Sequence, residues 1–70
     1  MIPLTLTNAG EESIIKRIGG KPEVKQHLAD LGFVVGASVS VVSQFGGNVI
    51  VNIKDSRVAI DAGMAQKIMV

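Results

Sequence analysis

The 70-residue chain has no cysteine, no tryptophan and no tyrosine, and only 2 phenylalanines and 2 prolines. Without cysteine there are no disulfide staples, no thiolate nucleophiles and no cysteine-ligated zinc or iron–sulfur centres. Without Trp and Tyr the chain cannot build the aromatic-lined groove that grips proline-rich peptides, and it offers few platforms on which RNA bases stack. A surplus of one charge is missing too. Seven Lys and Arg against 6 Asp and Glu give a formal net charge of +1, too little to draw the chain to nucleic acid or anionic lipid. No window approaches ~18 uninterrupted apolar residues, so no membrane insertion is expected. Met1-Ile2-Pro3-Leu4-Thr5 has neither the basic start nor the apolar run of a secretion signal. The expectation is a cytoplasmic protein without a nucleic-acid partner.

What is present is aliphatic. Hydrophobic residues make up 47% of the chain, and Val, Ile, Leu and Ala supply most of them. Branched aliphatics favour strands. Residues 1–70 fit one small domain, which buries only about 60–65% of its unfolded surface. A domain this small gains from self-association or from a partner, so a homo-oligomer is one expectation.

The stretch Leu28 to Val42 carries the clearest change of period. Val24, Leu28 and Leu31 recur at i, i+4, i+7, one face of a helix that Pro22 can start and Gly32 can end. After Gly36, Ala37-Ser38-Val39-Ser40-Val41 alternates with period two, as a half-buried strand does. Elsewhere the pattern predicts a short strand over Leu4–Thr7 and a second over Glu11–Ile18. In the second, Ile14, Lys16 and Ile18 face one way and Ser13, Ile15 and Arg17 the other. A third strand runs from Ala37 to Gln44, and Phe45-Gly46-Gly47-Asn48 is a hairpin turn. A fourth carries Val49, Val51 and Ile53. Asp55-Ser56 turns into a fifth over Arg57–Ile60. Asp61 caps one helical turn, and Ile68-Met69-Val70 closes the chain. About five strands with one short helix inserted give a mainly β, small antiparallel barrel.

Chemistry is sparse. The single His has no Ser or Asp in a recognisable nucleophilic arrangement, so no catalytic residue is assigned. Gly19-Gly20-Lys21-Pro22 has a partial likeness to a phosphate loop. It fails at both ends, with Ile15 in place of the first glycine and Pro22 in place of Ser or Thr. Glu23, His27 and Asp30 fall at i, i+4, i+7 on the helix. Imidazole with carboxylates is a donor set for a divalent transition metal, Fe(II) or Zn(II). The competing reading is a polar helix edge, since one helix closes no coordination sphere. Phe33, Val34 and Val35 lie between two glycines, where at least one should face solvent. With Lys21 and Lys25 as a basic rim, they are candidates for a partner-binding surface.

Several of these pieces together resemble the FeoA family. They are Gly10-Glu11-Glu12 leading into Ile14-Ile15-Lys16-Arg17-Ile18, and Asp30-Leu31-Gly32-Phe33 with Gly36 before the Val39/Val41 strand. Further on come Val49-Ile50-Val51, Arg57-Val58-Ala59-Ile60, and Met64-Ala65 leading to Ile68-Met69-Val70. The resemblance implies an SH3-like barrel with an inserted helix. It also implies a non-enzymatic accessory role in bacterial ferrous iron uptake, in partnership with the membrane GTPase FeoB. The alternative it suggests is a metal-sensing module, because the same fold resembles the SH3-like domain of iron-dependent repressors. Two positions depart from the family pattern: Val35 stands where proline is usual, and Gly63 where a charged helix former is usual.

Overall fold

The computed structural model describes all residues, Met1–Val70. A three-strand meander forms its centre: β3 (Ser38–Phe45), β4 (Asn48–Ile53) and β5 (Ser56–Asp61), all antiparallel. Both of its turns have two residues with positive φ, the geometry that matches strand twist. Gly46 and Gly47 stand at +55° and +79°, which glycine tolerates without cost. Lys54 and Asp55 stand at +48° and +64°, so the second turn falls one residue earlier than the sequence pattern suggests. Val39, Val41, Val49, Val51, Ile53 and Ile60 line the buried face. Val42 interrupts the alternation because the β3–β4 register slips between Val41 and Ser43. The extra residue forms a bulge that bends β3.

The expected strand over Glu11–Ile18 is two strands in two different sheets. β1 (Glu12–Ile14) pairs with β3, and β2 (Arg17–Ile18) pairs with β6 (Ile68–Met69). The bend falls at Ile15 and Lys16. The Ile15 N–H still donates to the Ala37 carbonyl at 2.9 Å, whereas the Lys16 N–H donates to Met69 at 2.8 Å. A straight strand would put Ile15 and Ile18 on opposite faces. The bend shifts the phase by one residue, so Ile15 is fully buried, Ile18 packs against the core, and Ile14 is left outside.

The predicted first strand is a single 3-10 turn, Leu4–Leu6. The Thr7 hydroxyl donates to the Leu4 carbonyl at 2.8 Å and the Thr7 amide to the same oxygen at 3.1 Å, a local bond that competes with strand pairing. Leu4 is therefore buried, while Leu6 is exposed.

Helix α1 (Pro22–Asp30) ends as the sequence indicates. Gly32, at φ +102°, donates to the Ala29 carbonyl, and the Phe33 amide donates to the Leu28 carbonyl, both at 2.9 Å. This pair of bonds is the Schellman cap, and its usual apolar contact is supplied by Leu28 and Phe33, both fully buried. Helix α2 (Ala62–Ala65) is capped by Asp61, whose Oδ1 accepts from the Met64 amide at 2.7 Å. The thirteen buried residues are all apolar. Each large one contributes roughly 1.5–3 kcal/mol through burial. The result is six strands in sheets ordered β1-β3-β4-β5 and β2-β6, with β1 and β5 left as edges of the larger sheet. No helix is long and apolar enough to cross a membrane.

Candidate functional site

The Gly32–Gly36 segment joins α1 to β3, and the structure divides its three apolar residues. Phe33 is fully buried as the anchor of the helix cap, so its side chain is not available to a partner. Val34 and Val35 are exposed, Val35 by 65%. Two bonds tie down the backbone around them: the Gly36 amide donates to the Ile15 carbonyl at 2.8 Å, and the Ala37 amide donates to the Val34 carbonyl at 3.0 Å. These bonds bring the loop against the end of β1, where Ile14 is 50% exposed. Ile14, Val34 and Val35 are therefore three exposed aliphatic residues on neighbouring backbone segments. Sequence reasoning missed Ile14, because a straight strand made either face of that segment equally plausible.

The expected basic rim is not beside this loop. Lys21 is the N-cap residue of α1, and the loop follows the C-terminal end. Nine helical residues separate the two, roughly 14 Å at 1.5 Å per residue. Lys25 lies along the exposed flank between them. The cation that does stand there is Lys54: a Cβ at Gly32 would meet its Cδ at 3.6 Å. Lys54 approaches from the β4–β5 turn, a contact across distant sequence that no local pattern reveals.

Glu23, His27 and Asp30 are exposed along α1. The Asp30 carboxylate accepts from Gln26 Nε2 at 2.9 Å, so one oxygen of the proposed donor set is already engaged on its own helix. No group of three His, Cys, Asp or Glu residues in the structure is arranged to hold a metal ion. The helical stripe fails for a geometric reason: i, i+4, i+7 residues share a face, but they spread along its length, and no second element brings a ligand to close the site.

The outer face of the larger sheet carries a shallow depression of about 550 Å3. Glu12, Ser40, Asn52 and Arg57 lie there in one transverse row, paired strand to strand. The row presents charges of both signs beside a serine hydroxyl and an amide.

Two strongly bent antiparallel sheets over an aliphatic core, with a helix inserted in the longest connection, define a small SH3-like domain. Residues 2–70 match the model of the FeoA domain family, and the chain belongs to that family. It is 39% identical over 70 residues to a protein of Methanocaldococcus jannaschii named for Fe(2+) transport as protein A, covering 100% of this chain and 85% of that one. The crystal structure of an iron uptake regulatory protein, FeoA, superimposes with a TM-score of 0.89 at 30% identity, covering 99% of this chain and 92% of the other. FeoA of Stenotrophomonas maltophilia, solved in complex with zinc and described as an SH3 domain protein, gives 0.85 at 20% identity over 100% and 89% of the two chains. That last likeness extends to the fold alone.

Proposed function

We propose that this chain is a non-enzymatic accessory protein of ferrous iron uptake, which docks on a cytoplasmic surface of a FeoB-type membrane GTPase and modulates it. Membership of a family named for Fe(2+) transport supports the setting. The observation that carries the docking reading is the exposure of Ile14, Val34 and Val35 on neighbouring, hydrogen-bonded backbone segments, with Lys54 beside Gly32 at the start of the loop. Exposed apolar groups fixed in place lose little entropy on binding, which favours a protein partner. Val35, which stands where the family pattern usually has proline, contributes an exposed branched side chain, 65% accessible. Iron enters this reading as the cargo of the partner and is not held by Glu23, His27 and Asp30. The test is capture of the purified FeoB-type GTPase by the wild type and by Val35→Asp and Ile14→Asp. Loss of capture by folded variants supports the site; full retention by both removes it.

A further inference from the structure

The outer edge of β5 is the second place where the molecule offers an interaction, and it lies at the opposite side of the larger sheet from β1. In a two-residue hairpin the residues flanking the turn exchange hydrogen bonds, so Ile53 and Ser56 face each other. By alternation Val58 and Ile60 also bond to β4, whereas the backbone groups of Arg57 and Ala59 and the amide of Asp61 point off the sheet. None of them takes part in a backbone bond outside the strand pairs. An unpaired edge of this kind is a template for another strand.

The side chains on this edge say which strand. Arg57, Ala59 and Asp61 share the outer face and are all exposed. They read cation, small, anion at i, i+2, i+4. We infer that β5 pairs with β5 of a second copy of this chain, antiparallel and centred on Ala59. In that register Arg57 stands opposite the Asp61 of the copy, and the Asp61 opposite its Arg57; Asp61 Oδ1 caps α2, so Oδ2 is the oxygen that takes the pair. The two alanines meet at the two-fold axis with nothing bulky between them. The backbone parity agrees: Ala59 exchanges both bonds with its copy, and each Asp61 amide reaches the opposite Arg57 carbonyl. On the inner face Val58, half-buried at the edge, comes opposite the Ile60 of the copy. A parallel pairing in register would instead set Arg57 on Arg57. The interface is isologous and closes at two copies.

Sedimentation velocity of the full chain over a range of concentrations tests this, together with Arg57→Glu and Ala59→Pro. Arg57 is exposed, and the Ala59 amide has no partner within the monomer, so neither change removes an internal contact; melting curves check that both fold. The expected result is a concentration-dependent dimer that weakens in high salt, since its ion pairs are exposed. Arg57→Glu raises its dissociation constant about tenfold or more, because it puts like charges opposite each other twice. Ala59→Pro abolishes it. Amide exchange at Ala59 slows as the wild type is concentrated. A wild type that stays monomeric at the highest concentrations overturns the inference and leaves the edge to an extended segment of another protein. A dimer that survives Ala59→Pro unchanged overturns it equally, because the pairing is then not through this backbone. Neither outcome bears on the Ile14, Val34 and Val35 surface.

Discussion

Phe33 shows how two glycines can mislead a reading made residue by residue. Set between Gly32 and Gly36, it has the context of an exposed loop tip, yet its side chain is fully buried as the apolar half of the helix cap. Its neighbour Val35 has the same chain context and the opposite environment. The two substitutions separate sharply. Phe33→Ala removes a buried aromatic and costs about 3–5 kcal/mol. A 70-residue domain has a total stability of roughly 3.5–10 kcal/mol, so this variant loses from about a third to all of it, read as a lowered midpoint in a denaturant titration. Val35→Asp stays within about 0.5 kcal/mol of the wild type. Gly32 is bound by its backbone and not by lack of room: a Cβ there meets its nearest neighbours, in Lys54 and Ile53, at 3.6 and 3.7 Å, ordinary contact distances. Gly32→Ala therefore costs about 1–2 kcal/mol through its positive φ. That amounts to a fall in melting temperature of roughly 4–8 °C per kcal/mol. An unchanged melting temperature would show that the cap does not need glycine here.

At the scale of elements, the short pieces are held by specific bonds more than by propensity. Helix α2 has four residues, one of them Gly63, which is a poor helix former. It persists because Asp61 accepts the Met64 amide and because Ala65 is fully buried beneath it. Asp61→Ala removes the cap and lowers stability by about 1 kcal/mol, whereas Asp61→Asn keeps a capping oxygen and costs much less. Thermal melts of the two variants side by side read this difference. The bend between β1 and β2 follows the same logic on a larger scale. Adjacent Ile14 and Ile15 cannot both face inward in a strand, and the register of Ser13 with the buried Val39 decides which one does.

For the whole molecule, salt separates the two proposed surfaces. The proposed docking through Ile14, Val34 and Val35 would rest on apolar contact, so capture of the GTPase is expected to change little between low and high salt, while Val35→Asp is expected to reduce it by tenfold or more at about 1.4 kcal/mol per decade. Strong salt dependence with no effect of Val35→Asp would point to a polar surface instead. The β5 edge behaves in the opposite way, since its recognition elements are Arg57 and Asp61. If both proposals hold, the domain pairs with itself through one edge and meets a partner beside the other.

The sequence by itself determined the elements whose cause is local. The helix and its stop at Gly32, the glycine hairpin at Gly46-Gly47, the alternation of Val49, Val51 and Ile53, and the Asp61 cap are each written within a few residues. So is the family, because its signature runs along nearly the whole chain. Only the tertiary structure decided what depends on contacts between distant residues. It turned one expected strand into two in separate sheets, buried Phe33 and exposed Ile14. It put Lys54, from a turn more than twenty residues onward, beside Gly32 while leaving Lys21 at the far end of the helix. It also spread Glu23, His27 and Asp30 along a helix with no second element to complete them. Periodicity fixes which side chains share a face of an element, but the direction of that face is set by what packs against it, and in this molecule the proposed interaction surfaces are made of such faces and edges.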